Sequence, residues 1–246
     1  MKQLLKRAFR CLGYEVSRVH KVGVDPFADM ARFLPHGERL VVFDVGANIG
    51  QSAQKFRRTF PVAEIYSFEP SPSVFKTLQR EVGSDPNTHT WNCGLGATTS
   101  RQRFFENDES VMSSFLPTVR QAWVQTISET EVEVQTIDSF CAQRQIKNID
   151  VLKSDTQGYD LEVLKGARQI MREGRVRIVY FEVNFADTYV GQGSFGQQYD
   201  LLTALDFRLF SFYQVFRRAG LAAWTDALFI HRSLVKTQCL SEEMIR

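Results

Sequence analysis

The chain has 246 residues, 43% hydrophobic and 24% charged, with a net charge of +2. That is enough for one sizeable core, and too balanced for charge alone to argue for nucleic acid. The four cysteines, Cys11, Cys93, Cys141 and Cys239, form no C-x-x-C pair, and no run approaches the ~20 apolar residues of a membrane span; both suit a cytoplasmic protein better than a disulfide scaffold, a zinc site or an integral membrane protein.

At the N-terminus, Leu4, Leu5, Ala8, Phe9 and Leu12 alternate with Lys2, Lys6, Arg7 and Arg10. A helix with that stripe either packs on the domain or makes peripheral contact with an anionic inner membrane face. Residues 1–38 read as a helical extension, with Asp25-Pro26 starting a second short helix and Pro35-His36-Gly37 breaking the chain. A strand at 40–44, a helix at 49–59 and a strand at 63–69 follow. Ser71-Pro72 opens a helix reaching about residue 81, since proline loses no donor in the first turn. Residues 88–93 form a third strand. Residues 94–135 interrupt the rhythm with strand-like pieces at 102–105 and 131–136. This β-rich insertion is either a small extension of the core or an acceptor lid walled by Phe104, Phe105, Met112, Phe115 and Trp123. Then come a helix at 136–145, a strand at 149–153, a helix at 159–172, a strand at 176–183 and, after the glycine-rich loop 191–196, a helix to 205. Loop 184–196 is a second candidate wall. Strands 208–215 and 222–231, joined by the turn 216–221, complete a domain spanning 39–235, with a tail at 236–246.

Strand–helix alternation at this spacing implies an α/β fold with a mostly parallel, Rossmann-like sheet covered on both faces. The closing hairpin makes the last strand antiparallel. That is the sheet pattern of class I methyltransferases.

Four strands end in or next to an acid: Asp44, Glu69, Asp155 and Glu182. Ligands of open α/β sheets bind beyond the carboxyl ends of the strands. Four unpartnered anions there would repel one another and need cations or hydroxyl donors. S-adenosylmethionine supplies both, whereas NAD and ATP bring phosphates. The turn Gly46-Ala47-Asn48-Ile49-Gly50 lets backbone approach a ligand closely. Its spacing is G-x-x-x-G rather than the G-x-G-x-x-G of a dinucleotide fold, and no P-loop is present.

The segments VVFDVGANIG, IYSFEPSP, WNCGLGA, VEVQTIDSF, VLKSDTQGYDLEVLKGA, VYFEVNF and DALFIHR, in this order across residues 40–233, closely resemble the FkbM-type methyltransferases. The block around residues 153–158 is the family-specific one. The resemblance implies an S-adenosylmethionine-dependent O-methyltransferase acting on hydroxyls of sugars, glycans or secondary metabolites. It implies that Asp44, Gly46, Ala47, Asn48 and Gly50 hold the methionine part of the cofactor, that Glu69 and Pro70 hold the ribose, and that Asn92 and Cys93 flank the adenine. Asp155 then stands beside methyl donor and acceptor. Many relatives read K-I-D-V-E-G where this chain reads K-S-D-T-Q-G, so Gln157 replaces a common acid.

Asp155 is accordingly expected to be the general base or to orient the acceptor hydroxyl, with Glu182 helping and Lys153 tuning their charge. No two of His20, His36, His89 and His231 stand at metal-ligand spacing, so no histidine metal site is expected; a carboxylate-bound Mg²⁺ or Ca²⁺ near Asp155 and Glu182 is the alternative. The rival functions are a non-catalytic binding module on the same fold and a nucleotide-dependent oxidoreductase.

Overall fold

The computed structural model describes residues 22–35, 37–120 and 122–235. The expected basic N-terminal helix, His20, His36, Cys11, Cys239 and the tail 236–246 lie outside the described residues. Helix α1 (Pro26–Phe33) begins at Asp25, whose carboxylate accepts from the Phe27 amide, with proline in the first turn as its sequence predicts.

Strands β1 (Val41–Val45), β2 (Glu64–Phe68), β3 (Thr88–Trp91), β7 (Ile149–Ser154), β8 (Val176–Asn184) and β11 (Leu221–His231) form the centre of an eight-stranded sheet in the order β3-β2-β1-β7-β8-β11. All neighbours are parallel except β11, which is antiparallel to β8. The far edge of β11 pairs with both β9 (Phe207–Phe212) and β10 (Phe216–Arg218). This corrects the expected turn at 216–221. The reversal takes only Ala219 (φ 47°) and Gly220 (φ 82°), a two-residue turn whose positive φ values match the twist of the flanking strands. Residues 216–218 are thereby freed to pair.

Helices α2 (Gln51–Thr59) and α3 (Pro72–Val82) join α1 on one face of the sheet, around Phe56, Leu78 and Met30. The other face carries α4 (Ile137–Arg144), α5 (Asp160–Gly166), α6 (Arg168–Arg172) and α7 (Phe195–Ala204), packed on Phe43, Phe140 and Phe181. As Asp25 does for α1, the side-chain oxygens of Ser71, Thr136 and Ser194 cap α3, α4 and α7. The single helix expected over 159–172 is broken at Ala167. Gly166 there lies against the Gly96 carbonyl, which a Cβ would meet at 2.1 Å. The Asp138 carboxylate starts the second piece by accepting from the Gln169 and Ile170 amides, each at 2.9 Å.

The insertion forms its own three-stranded sheet: β4 (Gly94–Leu95), β6 (Thr126–Gln135) and β5 (Ser100–Asn107), with β6 central. No described helix is long and apolar enough to cross a membrane.

Candidate functional site

The carboxyl ends of β1, β2 and β7 open on a cavity of about 290 Å³. From β1 the chain turns through Gly46 (φ 72°), Ala47 and Asn48 (φ 48°), and Gly50 then caps α2. Gly46 is obligatory, because a Cβ there would lie 2.0 Å from the Asp155 carbonyl oxygen. The turn after β1 therefore sits directly on the turn after β7. Gly46, Ala47 and Asn48 line the cavity, whereas Gly50 does not.

Asp44 does not itself line the cavity. It is fully buried, and Lys153 Nζ lies 3.0 Å from its Oδ1 while the Ser52 hydroxyl reaches both oxygens. The Lys153 ammonium also donates to the carbonyls of Gly46 at 2.8 Å and Val45 at 3.3 Å. Burial works against its charge, but the Asp44 and Asp155 carboxylates more than offset this and hold its pKa above that of an ordinary lysine. Asp44 therefore shapes the turn through an internal cation, and the argument from four bare anions narrows to Glu69 and Asp155.

Glu69 does face the cavity. Its oxygens accept from the backbone N–H groups of Asn48 and Ser71, both at 2.9 Å. Burial outweighs those bonds and pushes its carboxyl up to about 7. Pro70 and Cys93 line the same wall, with Leu95, Phe104 and Phe115 beyond them. Asn92 does not join them; its side chain donates to the carbonyls of Glu69 and Pro70 at 2.8 and 3.1 Å and braces that loop from outside.

Asp155 lines the cavity with its side chain 45% exposed and its Oδ2 4.0 Å from Lys153. Gln157, held in the left-handed region (φ 55°), donates to Asp155 at 2.9 Å and to Glu182 at 3.1 Å. Asn184 gives Glu182 a second donor at 2.9 Å. Burial and the neighbouring Asp155 charge raise the Glu182 carboxyl well above its usual range. Glu182 sits beside Asp155 without lining the cavity itself.

Tyr189 links this cluster to the insertion, donating to Gln157 Oε1 at 3.0 Å and lying 2.9 Å from the Met112 carbonyl. Ser114 reaches the Gln157 carbonyl at 2.8 Å, and Thr118 bridges to Tyr189 through backbone. The two candidate walls are thus hydrogen-bonded together. Phe104 and Phe115 line the cavity, but Phe105, Met112 and Trp123 do not; Trp123 lies under Arg218 at 5.0 Å.

Sequence reasoning missed Ser52, Phe27, Lys55, Tyr180 and Asp226, all of which line the cavity. Ser52 stood in plain view, one residue into the helix after the glycine turn. Asp226 is an acid inside an otherwise apolar strand and could have been questioned. Phe27 and Tyr180 carried no signal beyond ordinary core patterning. Neither His89, paired with Glu64 at 2.7 Å, nor His231 lines the cavity. Among the described residues no group of three His, Cys, Asp or Glu side chains is placed to hold a metal ion.

A family model for the methyltransferase FkbM domain matches residues 44–209. The 2-O-methyltransferase NoeI of Sinorhizobium fredii is 23% identical over 177 residues, 68% of this chain and 72% of the relative. The 31-O-demethyl-FK506 methyltransferase FkbM of Streptomyces tacrolimicus is 27% identical over 190 residues, 65% and 73% of the two chains. Among solved structures, the fibrillarin pre-rRNA processing protein of Methanococcus jannaschii shares the fold, with a TM-score of 0.51 at 11% identity over 87% of this chain and 71% of that one.

Proposed function

The chain belongs to the FkbM methyltransferase family, and from that premise we propose that it moves a methyl group from S-adenosylmethionine to a hydroxyl of a sugar, glycan or secondary-metabolite acceptor. One observation carries the reading: the Gly46 turn, the Glu69 carboxylate and the Asp155 carboxylate, from three separate strands, line one cavity. The names of the two relatives, a 2-O-methyltransferase and a 31-O-demethyl-FK506 methyltransferase, support oxygen as the accepting atom.

The residues fit the cofactor. Among the described residues Glu69 is a buried carboxyl group bonded only by two backbone donors, so a ribose diol would complete its acceptor positions. Gly46 has no room for a Cβ, so backbone rather than side chain meets whatever lies above it. Cys93, Leu95, Phe104 and Phe115 offer a dry wall to a flat base. On this reading Gly46, Ala47 and Asn48 surround the methionine part, Glu69 and Pro70 the ribose, and Cys93 the adenine. Asp44, Gly50 and Asn92 act one step back, by holding the loops.

The cofactor supplies a methyl group already activated by its sulfonium. The chain's own work is to align the acceptor oxygen, where good orientation is worth up to ~7–11 kcal/mol, and to take the hydroxyl proton, typically worth ~10²–10⁴-fold. Asp155 is the proposed proton acceptor, since its side chain is partly open and steadied by Gln157. Glu182 supports it through the shared Gln157 amide. Lys153 stands 4.0 Å from Asp155 as a fixed cation. Residues 39–235 are proposed as the transferase domain, with 94–135 covering the acceptor and the basic N-terminal residues touching a membrane surface.

Labelled methyl transfer into a panel of glycans and lipid extracts tests the reaction. For the cofactor, S-adenosylmethionine at ~100 times its dissociation constant should stabilise the chain by ~2.7 kcal/mol; stabilisation by NAD⁺ or ATP instead would overturn the assignment. Asp155→Asn should lower turnover by about 10² or more while S-adenosylhomocysteine affinity holds. Surviving turnover with weakened cofactor binding would make Asp155 a cofactor ligand and not the base.

A further inference from the structure

We propose that the end of the cavity formed by Phe27, Lys55, Tyr180 and Asp226 is the acceptor subsite, and that it recognises adjacent hydroxyls of a polyhydroxylated ring. The inference rests on the transferase reading and deepens it by naming what holds the part of the acceptor that does not react.

Position argues first. In the sheet order, β2 with Glu69 lies two strands to one side of β7 with Asp155, and β11 with Asp226 lies two strands to the other. With strands ~4.8 Å apart, each separation is roughly 10 Å. The cofactor reading occupies the Glu69 side, which leaves the Asp226 side of Asp155 for the second substrate. These four residues come from α1, α2, β8 and β11, and yet they share one cavity with the glycine turn.

Chemistry argues second. Asp226 Oδ2 accepts from the Tyr180 hydroxyl at 2.6 Å, while Oδ1 accepts no bond among the described residues and is not sealed from solvent. A carboxylate with an open oxygen beside a phenol hydroxyl suits two neighbouring hydroxyls, each of which can donate and accept. Lys55 Nζ sits 5.7 Å from the Phe27 ring centroid, placing a cationic donor next to an aromatic face. A ring hydroxyl of the acceptor can accept from that ammonium while it donates to Asp226. An apolar acceptor lacking donors would desolvate the Asp226 carboxylate without compensation.

The test uses the full chain saturated with S-adenosylhomocysteine. Saturation-transfer NMR is run with methyl glucoside, methyl galactoside, methyl mannoside and p-cresol as probes, and calorimetry follows S-adenosylhomocysteine. At least one glycoside should bind the wild-type chain, and Asp226→Asn should weaken it fivefold or more with cofactor-product affinity unchanged within twofold. Glycoside binding unaltered by Asp226→Asn would overturn the subsite and leave the transferase reading standing. A tenfold loss of S-adenosylhomocysteine affinity would assign Asp226 to the cofactor and overturn it likewise. A wild-type chain that binds no glycoside sinks both the subsite and a sugar-ring acceptor, whereas failure to bind S-adenosylhomocysteine at all strikes the transferase reading and, with it, the subsite that rests on it. Should Asp226→Asn melt, Lys55→Met on the exposed side of α2 carries the test: glycoside binding should fall about threefold, and no change would overturn the proposal.

Discussion

Replacing Lys153 by methionine keeps the length of the side chain and removes the ammonium that stands between β1 and β7. Asp44, fully buried, would keep only the Ser52 hydroxyl, and the Gly46 and Val45 carbonyls would lose their side-chain donor. Removing one partner of a buried ion pair typically costs ~3–5 kcal/mol, because the other charge stays behind unpaired. For a chain of this size each kcal/mol lowers the melting temperature by ~2–4 °C, so a fall of roughly 6–20 °C is expected. Urea denaturation of the wild type, Lys153→Met, Asp44→Asn and the double variant measures the coupling. Removing the second charge should restore about 2 kcal/mol or more, since contacting charges are strongly non-additive. A loss below about 1 kcal/mol for Lys153→Met, or a double variant whose losses simply add, would refute the claim that this pair anchors the glycine turn.

Glu69 should give the ligand-free chain a negative slope of stability against pH. Its carboxyl titrates near 7 when folded and near 4.5 otherwise, so the folded chain holds the extra proton and roughly 3 kcal/mol is lost as pH rises through that window. Glu69→Gln should flatten this part of the profile, and an unchanged slope would show that the group is not desolvated. Gly46→Ala drives a Cβ into the Asp155 carbonyl and should abolish S-adenosylhomocysteine binding in calorimetry; affinity within twofold of wild type would mean the two turns separate freely. Tyr189→Phe removes the hydroxyl that holds Gln157 and Met112, and should speed proteolytic cleavage within 108–125 at a cost of ~1–3 kcal/mol. An unaltered digestion pattern would count against a shared lid.

The succession of strands and helices and the glycine turn were legible because they rest on local signals: apolar runs of strand length, caps such as Ser71-Pro72, and an acid followed by Gly46. Glu69 and Asp155 could be assigned to one sheet edge because parallel strands all end on the same side. What could not be read was which acids have partners. Asp44 and Lys153 are 109 residues apart, and their pairing depends on β1 and β7 being neighbours, which follows only from the complete sheet. The same holds for Asp226 and Tyr180, joined across β11 and β8. The break at Ala167 was hidden for a similar reason, because its causes, Gly96 and Asp138, lie in other elements. The short pairing of β10 was missed because Ala219 adopts a positive φ that alanine seldom takes.

Strand alternation points Asp44, Lys153, Tyr180, Glu182 and Asp226 toward the same face as Val42, Val151, Ile178 and Leu228, the face covered by α1–α3. The top layer of that face is therefore a polar network, while the opposite face continues its apolar packing into Phe104 and Phe115. Local opening follows the thinner apolar layer. Amides of α1–α3 should thus exchange with solvent before those of α4–α7, and the protein should loosen from the side on which its buried polar network is kept.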